Sequence, residues 1–94
     1  MRVLGSQILE DFCRRRPRAR GALTALHAVL SETDAASQEA LRKSLGALVV
    51  RKDGNALVLH LADAGAEIVL SFNPAAEVVK IDAVRPLSNG KDRS

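Results

Sequence analysis

The chain has 94 residues, a length typical of one domain. Hydrophobic residues make up 47% of it, which argues against a disordered chain, and only two aromatics are present, Phe12 and Phe72, which argues against modules that read bases by aromatic stacking. The formal charge of +3 is unevenly distributed, since residues 1–20 carry +4 and residues 54–84 carry −3. The single cysteine, Cys13, excludes an internal disulfide and a cysteine-based zinc cluster.

Targeting signals are not apparent in the sequence. Its apolar runs are far shorter than the roughly 20 residues that a membrane span needs, and it does not open with a basic segment followed by an apolar one. We therefore expect a soluble cytoplasmic protein. Residues 1–85 are predicted to form one domain, and the polar segment 86–94 is predicted to be a flexible tail.

The first half of the chain predicts a short strand followed by helices. After Met1–Leu4, Ser6 is expected to cap a helix over 7–15, Pro17 to open a second helix that ends near Leu30, and a third helix is expected from about Ala35 to Leu45, where Gly46 would end it. Leucines at helical spacing form the apolar face of the second helix, and Ala36 is counted among those of the third.

The second half predicts strands joined by short turns. Strands are expected over 47–51, 56–61, 67–72 and 78–84, separated by turns at Asp53-Gly54-Asn55, Asp63-Ala64-Gly65 and Asn73-Pro74. Alternation assigns Leu57, Leu59 and Leu61 to one face, and in the last strand it groups Val79, Ile81 and Ala83. The fold class is α+β: a short N-terminal strand and two to three helices packed on one face of an antiparallel sheet of about four strands.

The most concentrated charge is a run of five arginines in seven positions: Arg14, Arg15, Arg16, Arg18 and Arg20. Guanidinium groups pair with phosphate, so this run is one candidate nucleic-acid-binding patch, to which Arg51 and Lys52 are added. The other interpretation is a solvated junction between two helices. The acidic second half of the chain means that any contact with nucleic acid is local.

The sequence contains no strong catalytic motif. It offers one weak candidate for a catalytic site. His60 lies in the middle of a strand, and Lys80 and Arg85 belong to the last strand region. On an open sheet face, a histidine and two cations are the groups with which a metal-free ribonuclease cuts RNA. The alternative is that His60 is a polar residue on a solvated sheet face. Cys13 is expected to be a buried thiol, and His27 to lie on a helix flank.

The order of elements resembles that of the RelE-like toxins of bacterial toxin–antitoxin pairs, and in particular the HigB family. The resemblance is carried by Met1-Arg2-Val3, by Leu9-Glu10-Asp11-Phe12, by the segment from Pro17 to Leu23, and by the apolar spacing from Leu57 to Val84. It implies a RelE-like fold, a ribosome-dependent mRNA interferase that needs neither metal nor cofactor, and an antitoxin partner of the helix-turn-helix type.

The family's basic positions are the ones at which this sequence differs. They fall on Ala62, Gly65, Glu67 and Asp82, and the position of the family's closing histidine falls on Leu87. The family's strand asparagine is His60 here, and its tyrosine is Ala66. Since acidic groups repel phosphate, the resemblance implies either a toxin whose site has shifted to His60, Lys80 and Arg85 or a catalytically silent relative.

Two further hypotheses come from other functional classes. In the first, the chain is a non-catalytic protein-interaction module on the same fold. In the second, it is a small nucleic-acid-binding protein that uses only the arginine run.

Overall fold

The structure is a computed structural model that describes residues 1–33, 37–73 and 75–87. In these ranges the chain forms strands β1 (Arg2–Leu4), β2 (Val49–Asp53), β3 (Ala56–Leu61), β4 (Ala66–Asn73) and β5 (Val78–Pro86), and helices α1 (Ser6–Arg15), α2 (Arg20–Glu32) and α3 (Gln38–Leu45). Short 3₁₀ turns cover Pro17–Ala19, Gly46–Leu48 and Ala62–Ala64. No helix in these ranges is both long enough and apolar enough to cross a membrane.

The strands form one mixed sheet in the order β1-β5-β4-β3-β2. β2 to β5 are antiparallel neighbours, as predicted, but β1 adds a fifth strand that runs parallel to β5. The predicted sheet of about four antiparallel strands is therefore corrected to a five-stranded mixed sheet. A parallel pair requires a long connection, and here the helices and the other strands supply it. The α+β class is confirmed.

The helices cover one face of this sheet and bury its apolar side chains. α1 packs against β5 and α2, and α2 also contacts β1. In β3, Leu57, Leu59 and Leu61 are buried as predicted, but Val58, on the other face, is buried as well. In β4, burial alternates: Ile68 and Leu70 are fully buried, and Val69 between them is half-buried. Each such side chain contributes about 1.5–3 kcal/mol when it leaves water. Both aromatic residues, Phe12 and Phe72, belong to the same core.

A β-bulge in β5 breaks the predicted alternation of that strand. Val69 pairs with Ala83 and Leu70 pairs with Ile81, so Asp82 has no partner in the register. The extra residue reverses the orientation of the side chains after it, and Val84 is buried while Ala83 is only half-buried. The prediction that Ala83 shares the face of Val79 and Ile81 was therefore wrong.

Two helix starts also differ from the sequence prediction. Ser6 is the first residue of α1, and the capping position belongs to Gly5, which has a φ of 82°. Glycine is required there because a Cβ would stand 2.6 Å from the carbonyl oxygen of Ile81. Pro17 opens a 3₁₀ turn, and α2 begins only at Arg20.

α3 ends at Leu45 as predicted, but Ser37, which the prediction placed inside the helix, is its extended N-cap residue. The predicted start at Ala35, and Ala36 with it, lies outside the described residues. α3 begins at Gln38, with the Ser37 hydroxyl accepting a hydrogen bond from the Ala40 amide at 3.1 Å. Gly46, with a φ of 61°, ends the helix as predicted.

Strand boundaries shift by a few residues. β2 starts at Val49 because a 3₁₀ turn occupies Gly46–Leu48. β5 extends through Pro86, beyond the predicted strand end at residue 84, and the Leu87 amide donates to the Gly65 carbonyl at 2.9 Å. The rest of the predicted tail, 88–94, and Pro74 of the predicted turn lie outside the described residues.

Candidate functional site

The face of the sheet that points away from the helices is called the outer face. Cross-strand pairing sets three of its residues side by side: His60 on β3 is opposite Glu67 on β4, and Glu67 is opposite Arg85 on β5. We call this set the His60 row. Side chains directly opposite one another in antiparallel strands have Cβ atoms about 4.5–5.5 Å apart, so the fold itself brings an imidazole, a carboxylate and a guanidinium together.

Glu67 contacts both neighbours in the His60 row. Its Oε2 lies 3.0 Å from His60 Nε2, and its Oε1 lies 3.8 Å from Arg85 Nε. The side chain of Glu67 is 30% exposed and that of Arg85 is 63% exposed. The carboxylate is thus half-buried between its partners, while the guanidinium reaches into solvent.

This geometry assigns distinct chemical capacities to the three groups. Glu67 holds Nε2 of His60, which leaves Nδ1 as the nitrogen able to accept or give a proton. Among the described residues, the Arg85 guanidinium is the one Lys or Arg group that pairs with the carboxylate. A phosphate that binds to Arg85 must therefore approach the Glu67 carboxylate, whose negative charge opposes it.

Lys80 does not join His60 and Arg85. It is in register with Ser71, four residues beyond Glu67 on β4, which corresponds to about 13 Å along the strand. There it lines a separate hollow of about 480 Å³, formed by Leu4, Asn55, Ser71, Phe72, Asn73, Val78 and Lys80. The three predicted catalytic residues are on one face, but only His60 and Arg85 belong to one cluster.

A second acid, Asp82, lies exposed on the outer face. The Ser71 hydroxyl donates a hydrogen bond to Asp82 Oδ2 across the bulge. The side chain of Asp82 is therefore hydrogen-bonded to the neighbouring strand, β4. Like Glu67, it places negative charge on the outer face.

The arginine run is exposed, and part of its charge is neutralised locally. Arg20 donates two hydrogen bonds to Glu10, at 3.1 and 3.2 Å, and Arg14 contacts Asp11 at 3.4 Å. The hydrogen bond and the charge of Arg20 lower the pKa of Glu10 from its ordinary value of 4.5 and raise that of Arg20. The guanidinium of Arg16 stands 5.8 Å from the centre of the Phe12 ring, a cation–π distance.

The other predicted nucleic-acid contacts lie on a different element. Arg51 and Lys52 belong to β2, the edge strand on the β3 side of the sheet, whereas the arginine run follows α1. Both are exposed. The predicted basic residues are thus divided between a helical segment and a strand edge.

Cys13 and His27 lie where the sequence predicts them. Cys13 is buried in the core face of α1, which confirms the expected structural thiol. His27 lies on the flank of α2, with Nδ1 3.4 Å from the Ser31 hydroxyl. Within the described ranges, no group of three or more His, Cys, Asp or Glu side chains is arranged to hold a metal ion.

Glu67 is the residue of the His60 row that sequence reasoning did not assign to the candidate site. Its contact with His60 depends on strand register, which the residue types alone do not fix. The signal that was present is the short turn Ala62–Gly65, because a hairpin closed by that turn sets residues 60 and 67 opposite one another.

Comparison with known proteins assigns no family to the chain. No family model matches it, and no curated protein matches it. The likeness to the HigB family therefore remains a resemblance in residues and in the order of elements.

Proposed function

We propose that this chain is a HigB-like protein of the toxin–antitoxin type that does not cleave RNA and acts by binding a partner protein. The observation that carries the proposal is the position of Glu67 between His60 and Arg85. The site of action under this proposal is the bacterial cytoplasm, and the partner is an antitoxin, which in related pairs is of the helix-turn-helix type.

The carboxylate of Glu67 opposes the step that an mRNA interferase must accelerate. Cleavage of RNA builds negative charge on the phosphate, and an enzyme stabilises that charge with cations fixed nearby. In the His60 row the one guanidinium is already matched by a carboxylate 3.8 Å away. The row as a whole is close to neutral and supplies little of the stabilisation required.

Lys80, which the sequence offered as part of the catalytic set, lies outside this row. Metal-free cleavage needs a base for the 2′-hydroxyl and an acid for the leaving oxygen. His60 can serve as one of them, but Lys80 lies about 13 Å further along the sheet, too far to act on the same phosphate, and Glu67 is engaged by both His60 and Arg85. These two features favour a silent relative over an active interferase.

An active, ribosome-dependent mRNA interferase is the second candidate, and one observation favours it. His60 Nε2 is fixed by Glu67 at 3.0 Å, which is how a carboxylate orients a catalytic imidazole, and Arg85 adjoins them. In this alternative His60 would be the base and Arg85 would hold the phosphate, while the exposed arginine run would contact ribosomal RNA.

Cleavage in a translating bacterial extract separates the two candidates. The wild-type chain, His60→Ala and the control Lys43→Ala, on the exposed surface of α3, are added to a defined message whose 5′ ends are then mapped. We expect the message to remain intact with all three proteins. New 5′ ends that appear with wild type and with Lys43→Ala but not with His60→Ala would establish the interferase instead.

The partner half of the proposal has its own test. If a small helix-turn-helix gene adjoins this one, the two products expressed together are expected to purify as a stoichiometric complex. Separate elution of two folded products would count against the toxin–antitoxin assignment.

A further inference from the structure

The hollow around Lys80 lies at the end of the sheet where β4 turns into β5, apart from the His60 row. Its volume of about 480 Å³ falls in the range of small-molecule sites. We call it the Lys80 hollow. Strand register places Leu4 of β1 beside Lys80, and Lys80 beside Ser71 of β4. Asn55, in the turn before β3, lines the far side, so the hollow crosses the sheet from β1 to the start of β3, about 14 Å.

The lining of the Lys80 hollow carries positive charge. Among the described residues that form it, Lys80 is the one with a charged side chain. This lysine is exposed, and within the described ranges it takes part in no ion pair. Its ammonium group is therefore free to pair with an anion that enters the hollow.

Two side-chain amides add hydrogen-bond donors to the same lining. Asn55 and Asn73 are both exposed there. Oδ1 of Asn73 accepts a hydrogen bond from the Ala76 amide at 3.2 Å, which turns the oxygen towards the backbone and leaves Nδ2 as a donor. An ammonium group and amide N–H groups together are the partners that an oxyanion accepts hydrogen bonds from.

Aliphatic side chains form another part of the lining. Leu4 on β1 is 43% exposed, and Val78, two residues before Lys80 on the adjacent strand β5, is half-buried. A ligand that covers these two side chains removes apolar surface from water, which stabilises the complex. The hollow therefore favours an oxyanion that carries a hydrocarbon group over a bare inorganic anion.

The charges around the hollow select a ligand with one negative charge. The single ammonium group of Lys80 matches one carboxylate. Asp82 does not line the hollow, but its hydrogen bond from the Ser71 hydroxyl holds a negative charge just outside it. Arg2 and Glu77, beyond Val78, are adjacent in the sheet and carry opposite charges. A phosphate group with a charge of about −2 would be only partly matched by Lys80 and repelled by Asp82.

We propose that the Lys80 hollow binds a small aliphatic monocarboxylate. The carboxylate accepts hydrogen bonds from the Lys80 ammonium group and the Asn73 amide, and the hydrocarbon chain covers Leu4 and Val78. This binding site goes beyond the proposed function and does not depend on it, because none of its residues belongs to the His60 row.

The test is a titration of the isotope-labelled full chain, followed by the chemical shifts of its backbone amides. The probes are isocaproate, its uncharged amide isocaproamide, acetate, which lacks the hydrocarbon chain, and inorganic phosphate, all at constant ionic strength. We expect isocaproate to shift the amides of Ser71, Asn73 and Lys80. We also expect it to bind at least about tenfold more tightly than each of the other three probes.

Matched variants locate the binding site. Lys80→Met removes the ammonium group from the hollow, whereas Lys52→Met removes one from an exposed position on β2 that does not line it. We expect Lys80→Met to weaken isocaproate binding at least about tenfold and Lys52→Met to leave it unchanged. Leu4→Ala should weaken the binding of isocaproate but not that of acetate. Val50→Ala, at an exposed hydrophobic position outside the hollow, should affect neither.

Three results would overturn the inference: equal binding of isocaproate and isocaproamide, binding of phosphate as tight as that of isocaproate, or equal effects of Lys80→Met and Lys52→Met. The second result would identify a phosphate group as the ligand of the hollow. RNA cleavage in the translating extract would refute the proposed function without changing these titrations, so the two failures are distinguishable.

Discussion

Nε2 of His60 and Oε2 of Glu67 lie 3.0 Å apart across the β3–β4 pair. The contact determines what the outer face can do, because it commits the imidazole to a carboxylate and leaves that same carboxylate beside Arg85. Both side chains of the pair remain partly exposed, at 39% and 30%.

The His60–Glu67 contact is expected to contribute little to stability. Ion pairs that water can reach are worth about 0.2–1 kcal/mol in double-mutant cycles. A cycle built from His60→Ala, Glu67→Ala and the double variant should therefore give a coupling free energy of that size, measured by urea unfolding. A coupling above about 3 kcal/mol would mean that the row is a buried structural network.

The bulge at Asp82 predicts which side of β5 tolerates charge. Val84→Asp puts a carboxylate into the core and should lower the free energy of unfolding by about 2 kcal/mol or more, whereas Ala83→Asp, on the outer face, should lower it by less than about 1 kcal/mol. Thermal and urea unfolding measure both. The opposite order would show that β5 alternates without a bulge.

Gly5 and Gly21 should respond to alanine in opposite directions. At Gly5 the backbone φ of 82° and the Ile81 carbonyl leave no place for a Cβ, and Gly5→Ala is expected to cost about 1–3 kcal/mol. Nothing lies within 4 Å of a Cβ at Gly21, in the first turn of α2, so Gly21→Ala should stabilise by up to about 1 kcal/mol. Equal unfolding midpoints for both variants would contradict the tight approach of Gly5 to β5.

Acid should weaken the fold in part through Glu10 and Glu39. The hydrogen bond and charge of Arg20 lower the pKa of Glu10 below 4.5, and Arg42 does the same for Glu39. A carboxyl whose pKa is lowered by folding contributes stability above its unfolded pKa and loses it as the pH falls through the folded pKa. The loss should thus begin near pH 4.5 and continue below it.

Glu10→Gln is the variant that isolates this effect. Its unfolding midpoint in urea should fall less than that of wild type between neutral pH and about pH 3, since it lacks one of the carboxylates that titrate. Glu32→Gln serves as a control with the same change of charge, because Glu32 makes no ion pair among the described residues. Identical pH profiles for Glu10→Gln and wild type would refute the role of the Arg20 contact.

Local chemistry predicted much of the fold. The Asp53-Gly54-Asn55 turn and the buried leucines of β3 follow from backbone preference and burial, which act within a few residues. The parallel pairing of β1 with β5 and the bulge at Asp82 depend on contacts between distant segments. They could not be read from residue types alone.

The candidate site was predicted only in part for the same reason. His60 and Arg85 were identified by their chemistry, and the sheet brings them to the same carboxylate. Lys80 was grouped with them because it shares their sheet face, but position along the strand, set by the register with Ser71, separates it from them. The face of the sheet on which a residue lies does not by itself determine which side chains contact one another.

The binding of single-stranded RNA by Glu67→Arg tests the central claim most directly. We expect this variant to bind a short oligoribonucleotide more tightly than wild type does, and the slope of log K against log salt to steepen by about 0.7 for each added phosphate contact. If the slope and the affinity stay the same in Glu67→Arg, or if wild type already binds RNA tightly in a manner that Arg85→Ala abolishes, Glu67 does not silence the outer face.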